Sequence, residues 1–156
     1  MDLPQELKAI DEIRQLKSRY FRFVDTKDWQ QLAMVFCRDA IFDTRQASGL
    51  ASTADDENYV ARGRDAIVAY ISQSLQGSSS VHHGHGHEVH IDSADEAHGI
   101  VAMEDLVKWE APRRASLHGY GHYHELYRVE DGAWRLWRST LTRLRVETDL
   151  DMGGTG

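Results

Sequence analysis

The amino-acid sequence predicts an α+β domain in which N-terminal helices pack on one curved antiparallel sheet. Apolar residues recur with helical spacing through the first half of the chain, and long β-rich segments separated by turn sequences follow from about residue 81. Helices and strands do not alternate as they would in a parallel sheet built from βαβ units. With 156 residues and no internal repeat, the chain is expected to form a single domain over 1–147.

Three helices are expected before the sheet. The first should run from about 5 to 24, because Asp2 and Pro4 form a typical helix start and apolar residues follow at helical intervals. Asp28 is a suitable N-cap for a second, shorter helix over 29–36. A third helix is expected over 66–75, where it ends at a glycine- and serine-rich segment.

The remaining segments are expected to be strands and loops. A short strand is predicted over 40–42, and the polar, aperiodic segment 44–58 is predicted to be a mobile loop that acts as a lid. Turn sequences divide the second half into four strands at about 82–91, 97–110, 115–130 and 133–147. Residues 148–156 are expected to form a flexible C-terminal tail.

The composition limits the possible partners. A formal net charge of -7 disfavours nucleic acid, because binding a phosphate backbone requires clustered Lys and Arg side chains. The chain contains neither an apolar signal-peptide core nor the roughly 18 consecutive apolar residues that a membrane span needs. The single cysteine, Cys37, excludes an internal disulfide. We therefore expect a cytoplasmic protein that binds neither nucleic acid nor membrane.

Five of the nine histidines fall within residues 82–90, and imidazole both titrates near neutral pH and binds transition metals. In a regular strand His83, His85 and His87 would share one face and could bind Zn²⁺ or Ni²⁺. The spacing matches the cupin metal signature only in part, because Glu88 follows too early and the proline of the second cupin motif is missing. We therefore predict no metal site, and interpret the segment as a polar strand that contains one general base.

Several segments resemble SnoaL-like proteins of the nuclear-transport-factor-2-like superfamily. The similar segments are 10–29, Ser80-Val81-His82, 88–93, Met103-Glu104-Asp105 and 127–134, so that the resemblance covers residues 9 to about 147. Within the superfamily the chain is most similar to the bile-acid 7α-dehydratase type, and more distantly to scytalone dehydratase and hexachlorocyclohexane dehydrochlorinase. The resemblance implies a cone-shaped α+β barrel of the cystatin-like type that encloses an apolar pocket.

The resemblance also implies an Asp/His dyad near the floor of that pocket. Asp25 matches the aspartate that follows the first helix of the family, and His82 matches its histidine at the start of the sheet. Four further positions have the residue types of the bile-acid enzymes: Tyr20, His85, Asp105 and Arg143. Asp105 and Arg143 are open to two interpretations, as substrate-binding groups or as an ion pair across neighbouring strands.

The chemistry of such a dyad follows from its residue types. A carboxylate beside an imidazole fixes the tautomer, so that His82 can take a proton from a carbon next to a carbonyl and return it to a departing hydroxyl. Tyr20 is a candidate donor to the developing enolate oxygen. Other candidates for contact with the substrate are His122, which alternates with other histidines along its strand, and Met103 and Trp109 in the pocket wall.

Three functions are compatible with these expectations. The first is a cofactor-independent lyase, a dehydratase, acting on a hydroxylated steroid-like, polycyclic or aromatic small molecule. The second is an isomerase or a polyketide-cyclase-like proton transfer on the same scaffold, and the third is a module that binds an apolar small molecule without catalysis. No cofactor is expected, and the outer apolar face of the sheet indicates a homodimer or homotrimer.

Overall fold

The computed structural model describes residues 1–47 and 53–150, in which three helices precede or interrupt a six-stranded sheet. The helices are α1 (Leu3–Asp25), α2 (Trp29–Ala33) and α3 (Arg64–Ser74). The strands are β1 (Phe36–Asp43), β2 (Val60–Arg62), β3 (Ser78–Ile91), β4 (Glu96–Trp109), β5 (Ala115–Glu130) and β6 (Ala133–Leu150). The predicted order of helices first and a β meander afterwards is confirmed.

Local signals explain where α1 begins and which face it buries. The Asp2 side chain accepts a hydrogen bond from the Gln5 backbone, and the Gln5 side chain accepts one from the Asp2 backbone. This reciprocal capping satisfies amide donors that the first turn of a helix leaves free. The buried side chains of α1 recur at helical spacing: Ala9, Ile13, Leu16, Lys17, Tyr20, Phe21 and Val24. One side of α1 is thereby fixed against the sheet.

The sheet is curved but open. The sequence predicted a wholly antiparallel sheet, and the structure differs from this prediction at one pair of strands. Its strand order is β2-β1-β6-β5-β4-β3, with β2 and β3 at the edges, so the barrel that the resemblance implied does not close. All neighbouring pairs are antiparallel except β1 and β6, which run parallel. A parallel pair requires a long connection between its strands, and here α3 and strands β2 to β5 supply it.

The sheet has an inner face towards the helices and an outer face away from them. Along β4, buried residues alternate with more exposed ones from Ala97 to Trp109, as expected for a strand with one face in the core. The inner face of β5 likewise includes Tyr123, Glu125 and Tyr127. The core lies between this inner face and the helices, so an inward side chain on β3, β4 or β5 can meet one from α1.

Several predicted boundaries differ from the structure, and strand β2 was not predicted. The second helix ends at Ala33 rather than 36, because β1 already begins at Phe36 and pairs there with Leu136. The predicted lid includes a 3₁₀ turn, Glu57–Tyr59, while its residues 48–52 lie outside the described part. Strand β6 continues to Leu150, so the predicted tail begins later, and residues 151–156 are not described.

None of the helices in the described residues could span a membrane. Across 1–47 and 53–150, no helix combines the length and the apolar character that a bilayer-spanning segment requires.

Candidate active site

Asp25 and His82 meet where the end of α1 packs against β3. The Nδ1 atom of His82 lies 2.6 Å from Oδ1 of Asp25, although the residues are 57 positions apart. The backbone N–H of His82 donates to Oδ2 of Asp25 at 2.8 Å, and the Ser80 hydroxyl donates to Oδ1 at 2.9 Å. The carboxylate is therefore held by three groups of one strand, which orients it towards the imidazole.

These hydrogen bonds define the protonation of the pair. Burial alone would raise the pKa of Asp25. Its pKa is nevertheless lowered, because the carboxylate accepts hydrogen bonds from the His82 side chain, the His82 backbone and Ser80, and interacts with the His82 charge. Asp25 is thus a carboxylate at neutral pH and can only accept, so Nδ1 of His82 is the donor. In the neutral imidazole Nε2 then has the lone pair, and no group in the described residues bonds it.

The dyad borders an open cleft between α1 and β3. The cleft has a volume of about 1300 Å³, and its walls include Arg14, Lys17 and Arg22 of α1 together with residues 82–90 of β3. The His82 side chain is 7% exposed and that of Asp25 22%, so both remain accessible from the cleft. The expected closed apolar pocket is not present in the described residues, because charged and imidazole groups form much of this wall.

Tyr20 does not contribute to the cleft wall. It is 3% exposed, with its ring packed edge-on against Phe21, Phe36 and Tyr123. Burial is the main cause that raises the pKa of its hydroxyl. This position differs from the expected contact with an enolate oxygen, because a substrate in the cleft would meet Phe21 before Tyr20.

Asp105 and Arg143 form a buried ion pair, although not across neighbouring strands as the structural alternative expected, because β5 lies between β4 and β6. Two nearly parallel hydrogen bonds of 2.6 and 2.9 Å join them, and both side chains are below 10% exposed. The pair packs directly against Gly119, where a Cβ would overlap both the Arg143 guanidinium and the Asp105 carboxylate. Asp105 is also the cross-strand partner of His82 on the inner face. The pair thus supports the floor behind the dyad without bordering the cleft.

Met103 and Trp109 occupy the inner face of β4 rather than the cleft. The Met103 sulfur lies 3.6 Å from Nη1 of Arg143, and Met103 is buried. Trp109 is 9% exposed, and the Arg113 guanidinium lies 4.1 Å from its ring centroid. Both residues are part of the core, and neither borders the cleft.

The two further histidines proposed as substrate contacts lie elsewhere. His85 points towards Glu104 on the outer face, with its Nε2 3.4 Å from Oε1, although it also borders the cleft at the strand edge. His122 borders a separate outer groove together with His124. Both are therefore on the opposite side of the sheet from the imidazole of His82.

A β-bulge changes the predicted alignment of His83, His85 and His87. Pairing between β3 and β4 shifts between His85 and Glu88, where Gly86 has a φ of +54°. The extra residue moves His87 to the inner face, whereas His83 and His85 stay on the outer face next to Glu104. In the described residues, ligand atoms of this histidine segment form no group of three within 4.8 Å of one another.

A buried polar network beside the cleft was missed by the sequence analysis. Lys17 and Glu125 form an ion pair of 2.5 Å, with side chains 2% and 0% exposed. Tyr127 donates to Glu125, and His87 Nε2 lies 2.9 Å from the Tyr127 hydroxyl. Burial lowers the pKa of Lys17 despite the opposing charge and hydrogen bond of Glu125. A lysine within the apolar stripe of α1 was the available signal, but its partner lies 108 residues away.

Comparison with known proteins assigns the family. A model of the SnoaL-like domain matches residues 5–140, and the chain belongs to this family. The fold is similar to that of a hexachlorocyclohexane dehydrochlorinase (LinA type 2), with a TM-score of 0.79, 16% identity, and 99% and 98% of the two chains covered. A putative scytalone dehydratase from Novosphingobium aromaticivorans has a TM-score of 0.79 and 18% identity, and the alignment covers 99% of this chain and 100% of that one.

A third similar structure shares the fold over most of the chain. It is an NTF2-like protein with a cystatin-like fold from Novosphingobium aromaticivorans, with a TM-score of 0.63 and 20% identity. The alignment covers 96% of this chain and 86% of that chain. The predicted fold type is thereby confirmed.

Proposed function

We propose that the protein is a cofactor-independent lyase, a dehydratase, for a hydroxylated steroid-like, polycyclic or aromatic small molecule. The observation on which this depends is the Asp25–His82 hydrogen bond, which leaves the His82 Nε2 lone pair free at the cleft. Membership of the SnoaL-like family supports a small-molecule enzyme. Two proteins of similar fold are named a dehydrochlorinase and a putative dehydratase, and both names denote eliminations.

The elimination balances with these side chains alone. Nε2 of His82 takes a proton from a carbon next to a carbonyl, and the electron pair of that C–H bond forms the carbon–carbon double bond. The neighbouring C–O bond breaks with its electron pair on oxygen, and the imidazolium returns the proton, so that water leaves. Asp25 stabilises the imidazolium in between. General acid-base catalysis of this kind contributes roughly 10²- to 10⁴-fold to the rate.

The test is turnover of β-hydroxy ketones on steroid, polycyclic and aromatic skeletons, followed by product mass. Wild type should form a product that has lost one water, and His82→Ala and Asp25→Asn should lower kcat/KM by roughly 10²- to 10⁴-fold. A matched control is His98→Ala, because His98 also pairs with an aspartate, Asp92 at 2.9 Å, but both are exposed. This variant should retain wild-type turnover.

The product also separates the alternative functions. A product isomeric with its substrate, formed in a His82-dependent way, would replace elimination by proton transfer alone. Undiminished turnover in both dyad variants would contradict the mechanism. Binding of these compounds without any turnover would leave a binding module, which the accessible lone pair of His82 argues against.

A further inference from the structure

The buried network next to the cleft converges on the carboxylate of Glu125. Its Oε1 accepts from the Lys17 ammonium at 2.5 Å and from the Ser139 hydroxyl at 3.0 Å, while Oε2 accepts from the Tyr127 hydroxyl at 2.5 Å. The ammonium also lies 3.5 Å from the centroid of the Tyr123 ring. Both carboxylate oxygens are thereby bonded, and removal of a partner would leave a buried charged or polar group unsatisfied.

The direction of each hydrogen in this network fixes the tautomer of His87. Glu125 can only accept, so Tyr127 uses its single proton towards Glu125 and its oxygen must accept from His87. Nε2 of His87 is therefore the protonated nitrogen, and Nδ1 has the lone pair. Within the described residues no group donates to Nδ1 of His87.

The position of His87 brings this residue to the cleft. The bulge at Gly86 turns His87 to the inner face, and the Arg14 guanidinium holds the His87 carbonyl at 3.1 Å. His87 and Lys17 border the same cleft as the dyad. Lys17 and Asp25 are eight residues apart on α1, which corresponds to about 12 Å along the helix.

Part of the cleft wall between these two polar ends is apolar. Phe21 stacks on His82 with ring centroids 6.2 Å apart, and Val101 borders the cleft beside it. An occupant that spans the cleft thus meets an acceptor at His82, an apolar middle, and a second acceptor site near His87.

We propose that Nδ1 of His87 is a second substrate-binding group, which accepts a hydrogen bond from a hydroxyl at the far end of an elongated, mostly apolar substrate. This inference rests on the proposed function, because the reacting end of the substrate is taken to lie at His82. The predicted substrate class is a rigid polycyclic compound with a polar group at each end. His87 is a positioning residue that orients the substrate, and Lys17, Glu125 and Tyr127 hold it in the required tautomer.

Binding of estradiol and of its two monomethyl ethers, measured by calorimetry, tests the second acceptor. The diol can donate at both ends and each ether at only one, so wild type should bind the diol about 3- to 10-fold more tightly. His87→Phe, which cannot accept, should abolish this preference. His124→Phe is the matched control, because His124 lies in the outer groove and bonds Thr142.

The tautomer itself is tested by nitrogen NMR of isotope-labelled protein. Wild type should show His87 protonated at Nε2, and Tyr127→Phe, which removes the acceptor but retains the ring, should shift the tautomer equilibrium and reduce the diol preference. Equal or undetectable binding of the probes, a preference that survives in His87→Phe, or a proton on Nδ1 would overturn the proposal. Failure of the proposed lyase function would be recognised by a different result. That result is unchanged turnover in the Asp25 and His82 variants, and it does not depend on the outcome for His87.

Discussion

Two histidines on β3 have the same side chain but opposite free nitrogens. His82 donates from Nδ1 to a carboxylate, whereas His87 donates from Nε2 to a phenol. The first contact fixes the tautomer that leaves Nε2 as the acceptor, as a base at this position requires. The second places the ring among buried groups that favour a neutral imidazole. The two residues are thus suited to different tasks, proton transfer at His82 and hydrogen-bond acceptance at His87.

His87 should make the free energy of unfolding depend on pH between 6.5 and about 4. Burial lowers its pKa from 6.5 to about 4, with the charge of Glu125 opposing and those of Lys17 and Arg14 assisting. In this window the unfolded chain binds a proton at His87 and the folded chain does not, so stability falls as the pH decreases. In urea titrations His87→Phe should lose less stability than wild type over this range.

The control for this pH effect is His124→Phe on the outer face. Its pH dependence should follow that of wild type. If the His87→Phe curve instead runs parallel to the wild-type curve from pH 6.5 to 4, the depressed pKa of His87 is contradicted.

The residues of the dyad could be predicted from the sequence, but those of the network could not. Asp25 and His82 stood at the end of a helix and the start of a strand, at positions that resemble a family pattern. Lys17 stood in an apolar stripe, where its stem satisfies the hydrophobic pattern equally well in the core or at the surface. Only the fold shows that Glu125 lies opposite, because Glu125 and Lys17 are 108 residues apart.

At the scale of elements, β3 illustrates how a strand can be predicted while its faces are not. Its position was predicted from turn sequences, but its histidine- and glycine-rich middle has no apolar alternation that would define a register. The bulge at Gly86 therefore had no signal beyond the glycine itself. The parallel contact of β1 with β6 was equally hidden, because the pairing of two strands far apart in the sequence depends on tertiary packing.

Gly86→Ala tests whether the bulge positions His87. A φ of +54° is strained for alanine, and the substitution should destabilise the protein by roughly 1–2 kcal/mol in urea unfolding. Gly86→Asn is the matched control, since asparagine tolerates this backbone conformation and should cost less. Alanine should also perturb the His87 ring signals in nitrogen NMR more than asparagine does. An alanine variant as stable as wild type would show that the bulge does not require glycine.

At the scale of the whole molecule, the sheet separates two kinds of surface. The inner face and α1 enclose the ion pairs Asp105–Arg143 and Lys17–Glu125, which flank the dyad on the core side. The outer face instead exposes large apolar side chains among its histidines: Val81, Ile100, Leu106 and Leu126. The predicted fold type was sufficient to expect an apolar outer face. Which residues lie on that face depends on the register of the strands.

We expect this outer face to be covered by a second or third copy of the chain. Leu106 is 39% exposed and lies directly opposite Val81, which is 47% exposed, so the two form a continuous apolar surface. Light scattering after size-exclusion chromatography should give two or three times the monomer mass for wild type. Leu106→Glu buries a charge in such an interface and should shift the protein towards monomer, whereas Leu7→Glu, on the exposed side of α1, should not. A monomeric wild type, or equal assembly of both variants, would exclude this face as the interface.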